Sequence, residues 1–187
     1  MHPIVERAGT AAELPAWAQC SSARRAHGVR VGDLLEEWAR ELGLSADDRT
    51  RWRAAGVLHD ALKDAPEGEL AELAGSGWPG PVVHAPACAE RLAADGVDDR
   101  SLLDAIRYHP VGHPDLDELG EFLILADYLE PGRKATVGKR ARMRRRLPGD
   151  RREVLRIVVR RRFDRLLDRN RPLMIVSVEF WNRMVNP

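Results

Sequence analysis

The chain has 187 residues, of which 44% are hydrophobic. This length and composition fit one domain with a real core and exclude general disorder. The 30 basic and 29 acidic side chains leave a formal net charge of +1, so the overall charge indicates no particular partner. Two cysteines, Cys20 and Cys88, are too few for a disulfide scaffold. No apolar leader and no apolar run of about 18 residues is visible, which predicts a soluble, cytoplasmic protein without a membrane partner.

Apolar residues at helical spacing dominate the chain and predict an all-α protein. Ser45 suits the cap of a helix start, and Pro110 disfavours helix at His109. Residues 75–81 and 110–114 have the composition of loops. The tail over 173–178 fits either an extended stretch or a helical turn. In chain order, the predicted helices cover residues 23–42, 45 to the break at Pro66, 68–74, 84–94, 98–108, 116–129 and 150–170.

Charge is distributed unevenly along the chain. Residues 139–171 hold 15 basic and 4 acidic residues, a local net charge of +11, and the remainder carries −10. Because apolar residues recur at helical spacing within this segment, its arginines are best interpreted as the solvated face of an amphipathic helix. Binding of nucleic acid is the less favoured alternative. A third role, attraction of a polyanionic nucleotide, needs only the electric field of the segment.

Six polar residues occur on predicted helices, at helix ends or within an apolar run: His27, His59, Asp60, His84, His109 and Asp127. Taken singly, each has an ordinary explanation as a capping, loop or core residue, or as an ion-pair partner. Taken together, they favour a metal site between helices, where facing helices build such centres. On a helix, His59 and Asp60 would point about 100° apart, so both can reach one ion or Asp60 can bridge two. Imidazole with carboxylate suits Fe, Mn, Zn or Co better than Ca or Mg.

The order His, His-Asp, His, His, Asp resembles that of the HD-domain phosphohydrolases. The resemblance narrows to their YqeK-like branch and covers roughly residues 20–183. It depends on Arg24, three residues before His27, and on three stretches: HDALK at 59–63, AIRYH at 105–109 and LADYLEPGR at 125–133. The chain departs from the branch at 84–86 (His-Ala-Pro), 110–112 (Pro-Val-Gly) and 120–121 (Gly-Glu). These departures remove no ligand and concern the choice of substrate.

The resemblance implies an all-α HD-domain helical bundle with a dinuclear metal site in its core. We expect one such domain over residues 1–187, with an Arg-rich helical segment at about 139–171. By resemblance, His27, His59, Asp60 and Asp127 surround one ion, and His84 and His109 hold the second with Asp60 as the bridge. The implied cofactors are two divalent or trivalent ions, iron first and manganese, cobalt or zinc as alternatives.

The implied activity is symmetrical hydrolysis of diadenosine tetraphosphate to two ADP by a metal-activated hydroxide. Asp60, Lys63 and Asp64 are the candidate catalytic residues. The candidate contacts to the substrate phosphates are Arg24, Lys63, Arg107 and Arg133, although a surface ion pair is an equal alternative for each. Asp64 fits a solvated surface acid better than a residue that orients water or Lys63, and His113 fits a loop residue better than a ligand.

Two alternative functions stay open. The first is an HD phosphohydrolase acting on another nucleotide, such as a monophosphate or an alarmone. The second is a metal-stabilised module that binds RNA or the ribosome through the arginines. The sequence leaves the oligomeric state open, although the apolar tail over 173–181 could form a homodimer interface.

Overall fold

Helices make up the ordered architecture. The computed structural model describes residues 1–186 and contains no strand in that range, so the all-α prediction is confirmed. Pro187, the last residue of the expected domain, lies outside the described residues. No helix within residues 1–186 has both the length and the apolar character needed to cross a membrane. The ten helices are α1 (Pro3–Ala11), α2 (Ser22–Glu41), α3 (Ala46–Leu58), α4 (Glu67–Ala74), α5 (His84–Ala94), α6 (Arg100–Tyr108), α7 (Glu118–Leu129), α8 (Val137–Arg144), α9 (Arg151–Leu167) and α10 (Ile175–Val185).

Local signals set several helix boundaries where the sequence predicts them. The Ser45 side chain accepts a hydrogen bond from the backbone N–H of Asp48 and caps α3. Helix α6 ends at Tyr108, directly before His109 and Pro110. The undecided tail turns out to be helical, because α10 begins at Ile175. Helices α1 and α8 have no counterpart among the predicted elements.

Helix α3 is shorter than predicted. It ends at Leu58, and residues 59–64 form turns instead of continuing the helix to Pro66. Side chains satisfy carbonyls at this end: His59 Nδ1 lies 2.7 Å from the Gly56 oxygen, and Cys88 Sγ lies 3.3 Å from the Leu58 oxygen. Asp60 therefore lies in a turn beyond the helix, which changes the expected helical relation between His59 and Asp60.

Helix α7 is the centre of the core. Every residue from Leu119 to Ala126 is buried, as expected for a helix surrounded by other helices. The Phe122 ring lies 5.5 Å from the Trp38 ring of α2 and 5.3 Å from the Trp52 ring of α3, measured between centroids. This packing fixes α7 against both helices and places Asp127, in its last turn, at one end of the bundle.

Three glycines bring α2 and α3 into backbone contact. A Cβ atom added at Gly56 would lie 2.5 Å from the Cα atom of Gly32, and one added at Gly28 would lie 3.0 Å from the Val57 oxygen. Only glycine permits so close an approach of two backbones. The contact matters for the site because Gly28 follows His27 and Gly56 lies three residues before His59.

We therefore expect Gly56→Ala to lower the free energy of unfolding by about 1–3 kcal/mol, since the methyl group would force the two helices apart. Chemical denaturation monitored by circular dichroism measures the change. Gly68→Ala is the matched control, because nothing lies within 4 Å of its added Cβ on α4; it should be neutral or stabilise by about 0.5–1 kcal/mol. Equal effects of the two substitutions would contradict the close approach.

Candidate metal centre

Five helices direct polar side chains to one end of the bundle. His27 lies in the second turn of α2, and His84 is the first residue of α5. His59 and His109 follow the last residues of α3 and α6, and Asp127 lies in the last turn of α7. Helix ends thus bring together residues that are up to 100 positions apart in the chain.

The four imidazoles form a continuous cluster, and three of them are buried. His59 is fully buried, and His84 and His109 are 2% and 3% exposed. Ring centroids lie 5.3 Å apart for His27 and His59, 4.8 Å for His59 and His109, and 5.5 Å for His84 and His109. Burial pushes the pKa of His109 well below its usual value and lowers that of His84, so both imidazoles are neutral at pH 7. Neutral imidazoles are the form that binds metal ions.

Two of these rings are oriented by the helix that precedes them. His59 Nδ1 lies 2.7 Å from the Gly56 oxygen, and His109 Nδ1 lies 2.8 Å from the Ile106 oxygen. A carbonyl oxygen can only accept, so each Nδ1 carries the proton and each Nε2 offers a lone pair. A backbone partner on the far nitrogen is the usual arrangement for a metal-binding histidine.

The ligand atoms fall into two groups that share Asp60. One group consists of His27, His59 and Asp60, and the other of Asp60, His84 and His109. Within each group the ligand atoms lie within 4.8 Å of one another, close enough to hold one ion. Asp127 adjoins the first group, because its Oδ1 lies 3.2 Å from His27 Nε2.

Unsatisfied polar atoms show that this donor set fits metal ions. His59 Nε2 and Asp60 Oδ1 are buried and make no hydrogen bond within the described residues. His84 Nε2 lies 3.1 Å from Asp60 Oδ1 but lacks hydrogen-bond geometry towards it. Buried polar atoms without partners are rare and costly, and a cation at this position would satisfy both.

Both aspartates are held in the ionised form. Burial by itself would raise the pKa of Asp60, but neighbouring His59 and His84 hold it far below the usual range. The pKa of Asp127 is also well below its ordinary value, since the hydrogen bond with His27 and the charge of Arg162 outweigh burial. Carboxylates in this state are ready to bind a cation at neutral pH.

A cavity of about 670 Å³ opens over the ligands, and cationic side chains surround it. Of the residues expected at the site, Arg24, Lys63, Asp64 and Arg133 all line this cavity. Lys63 Nζ lies 2.9 Å from His84 Nε2, and Arg133 donates to Asp127 Oδ1 at 2.6 Å. Asp64 accepts from the Arg24 side chain at 2.6 Å and from the backbone N–H of Ser21.

Arg107 and His113 lie elsewhere. The Arg107 guanidinium donates to Asp104 and Glu90, and the residue does not line the cavity. The structure therefore does not bring Arg107 to the site with the other cations, because its helical position points it at acids on α5 and α6. The His113 ring packs against Tyr108, with centroids 4.3 Å apart, and also lies outside the cavity lining.

Three charged residues at the site do not appear among the sequence candidates: Arg30, Glu130 and Arg162. Glu130 is 2% exposed and accepts from Arg30 at 2.5 Å, and its other oxygen lies 3.3 Å from His27 Nδ1. It thus supports the far nitrogen of a candidate ligand. The position of Glu130 in the 125–133 stretch is a signal that could have identified it. No local signal distinguishes Arg162 from its neighbouring arginines.

The family model of the HD domain matches residues 24–132, more than half of the chain. The chain belongs to the HD-domain family. All six candidate ligands lie within the matched HD-domain residues. Helices α8, α9 and α10 follow the match.

Two curated relatives of this HD-domain chain carry the same name. Proteins named symmetrical bis(5'-nucleosyl)-tetraphosphatase from Bacillus subtilis and Staphylococcus aureus are 32% and 28% identical, over 62% and 57% of this chain. The matched regions span 65% and 58% of those relatives. The chain thus aligns with about three fifths of their length.

A solved structure from Clostridium acetobutylicum shares the HD fold. It is described as a predicted HD superfamily hydrolase involved in NAD metabolism. The two superpose with a TM-score of 0.73 over 88% of this chain and 90% of the other, at 23% identity. The likeness extends over most of both chains, and at this identity it establishes the fold alone.

Asp60→Asn should remove most of the bound metal, since both ligand groups share this carboxylate. Loss of a residue that only orients a metal ligand lowers metal affinity by about 10- to 100-fold. We expect Asp60→Asn to lower the affinity for Mn²⁺ by more than this. Metal analysis after anaerobic purification, followed by titration of the apoprotein, measures it. Asp64→Asn is the matched control and should retain the metal, because Asp64 contacts Arg24 and Ser21 rather than the imidazoles. Unchanged metal content in Asp60→Asn would contradict this ligand assignment.

Proposed function

We propose that this chain is a metal-dependent hydrolase that cleaves dinucleoside tetraphosphates symmetrically, with diadenosine tetraphosphate giving two ADP. The observation that supports it most is the pair of ligand groups sharing Asp60 below a cavity lined by cations. A site for two ions suits hydrolysis of phosphate esters and anhydrides. The name shared by the relatives from Bacillus subtilis and Staphylococcus aureus favours the tetraphosphate over other nucleotides.

His27, His59, Asp60 and Asp127 would hold one ion, and His84, His109 and Asp60 the other. We propose iron, with manganese, cobalt or zinc as alternatives that the same donors accept. When bound, such ions lower the pKa of water and supply positive charge beside the phosphoryl oxygens. Asp60 belongs to both ligand groups and would hold both ions, which is the catalytic role we assign to it.

The cavity side chains position the phosphate chain. Arg24, Lys63 and Arg133 lie on its wall and can donate to phosphoryl oxygens, which gain charge as the bridging P–O bond breaks. Their cationic groups contact Asp64, His84 and Asp127 within the described residues. Polyphosphate binding would redirect Lys63 and Arg133 from His84 and Asp127 to the substrate. Asp64 holds Arg24 in place for this role.

Incubation of metal-loaded protein with diadenosine tetraphosphate tests the proposal, with products separated by chromatography. We expect ADP as the sole product, and we expect Arg24→Gln to raise KM by about 10-fold or more, since a charge-assisted bond is lost. Arg107→Gln is the matched control and should leave KM unchanged. AMP with ATP would contradict symmetrical cleavage. Bound metal without turnover would favour an HD phosphohydrolase for another nucleotide, such as a monophosphate or an alarmone.

A second candidate function is binding of RNA, favoured by a cavity of about 570 Å³ at helices α8 and α9. Met143 and Ile157 contribute apolar surface to this cavity, and its cations are Lys139, Arg142, Arg146 and Arg161. No acidic residue of the described chain lines it, although Arg146 donates to Asp150 at 2.9 Å. Clustered cations of this kind neutralise phosphates.

Fluorescence anisotropy with single-stranded RNA at several salt concentrations tests this second function. Arg142→Glu should weaken binding and reduce the slope of log affinity against log salt by about one, because one phosphate contact is lost. The exposed Arg160 on α9 provides the control Arg160→Glu. Equal losses in the two variants, or no binding by the wild type, would contradict a role for this cavity.

A further inference from the structure

We propose that Arg162 of α9 is a positioning residue that joins the two ligand groups of the metal centre. Its Nη1 donates to the backbone oxygen of His109 at 2.7 Å, and its Nη2 donates to Asp127 Oδ2 at 3.2 Å. His109 belongs to the group with His84, and Asp127 adjoins the group with His27. One guanidinium therefore contacts a residue from each group.

The two hydrogen bonds complete the support of both residues. The His109 ring is already held at Nδ1 by the Ile106 oxygen, and Arg162 holds the same residue at its backbone. Asp127 Oδ1 is held by Arg133 and faces His27, whereas Oδ2 is held by Arg162. With Arg162 in place, neither the imidazole nor the carboxylate is free to turn away from the ions they would bind.

The location of Arg162 separates this role from phosphate binding. Its side chain is 19% exposed, and Arg162 is absent from the cavity lining that contains Arg24 and Arg133. It therefore lies behind the ligands and not beside the substrate. An arginine suits this position because its planar fork presents two N–H donors in fixed geometry, which a lysine does not.

The contact also assigns a role to a segment outside the HD-domain match. The match ends at residue 132, and α9 packs on α7, with Val154, Leu155 and Val158 of α9 buried. This packing carries Arg162 to the site from the Arg-rich helix. The inference rests on the proposed function only in requiring the metal centre, and it is independent of which nucleotide is cleaved.

Titration of the apoproteins with Mn²⁺ tests the inference by calorimetry, without any substrate. Arg162→Gln should bind the ions about 10- to 100-fold more weakly, the usual cost of losing a partner that orients ligands. Arg162→Lys should weaken Mn²⁺ binding by a similar factor, since one ammonium cannot reproduce the two fixed N–H donors of the guanidinium. Arg160 is an exposed arginine on the same helix, so Arg160→Gln should have the same Mn²⁺ affinity as the wild type. Circular dichroism of each apoprotein verifies folding. If Arg162→Gln does not fold, Arg162→Lys provides the test of Mn²⁺ affinity.

The outcomes separate the competing roles. Unchanged Mn²⁺ affinity in Arg162→Gln would overturn the proposal, and a raised KM for diadenosine tetraphosphate in a separate turnover assay would then assign Arg162 to a substrate contact. Wild-type affinity in Arg162→Lys would overturn it in favour of charge alone. A wild type that binds no Mn²⁺ would overturn the proposed metal centre itself, whereas equal binding by wild type and Arg162→Gln would overturn only the role of Arg162.

Discussion

The burial of two carboxylates among four imidazoles is the constraint on which the rest of the site depends. His59 Nε2 and Asp60 Oδ1 are buried without hydrogen-bond partners in the described chain, an arrangement that costs free energy unless a cation meets them. The packing of the surrounding helices holds these side chains in position. The glycine contact between α2 and α3 brings His27 towards His59, and the buried α7 carries Asp127 to the same end of the bundle.

Much of this arrangement could be predicted from the sequence, because local signals specify it. The period of apolar residues marks the helices, Ser45 marks a start, and Pro110 marks an end. The histidines after α3 and α6 occur where helix carbonyls have no partner within the helix, so each ring donates from Nδ1 to the carbonyl three residues earlier. The order of ligand residues along the chain then identifies the family.

The remainder depends on contacts that no local pattern encodes. Arg162 reaches His109 across 53 positions and Asp127 across 35, and it follows two further arginines on the same helix. Only the docking of α9 on α7 decides which of the three faces the site. Arg107 shows the converse: it lies two residues from a candidate ligand, yet Asp104 and Glu90 hold it away from the cavity. The turn after Leu58 is similar, since the Cys88 side chain of α5 contacts the last carbonyl of the helix there.

The most direct test of this account is a crystal structure of the metal-loaded protein with anomalous scattering measured at the metal absorption edge. We expect two peaks, one bounded by His27, His59 and Asp60 and the other by Asp60, His84 and His109. Lys63 should then have moved away from His84 Nε2, which would coordinate the ion instead. No anomalous peak at these residues, with the Lys63 ammonium still against the His84 ring, would contradict the metal centre.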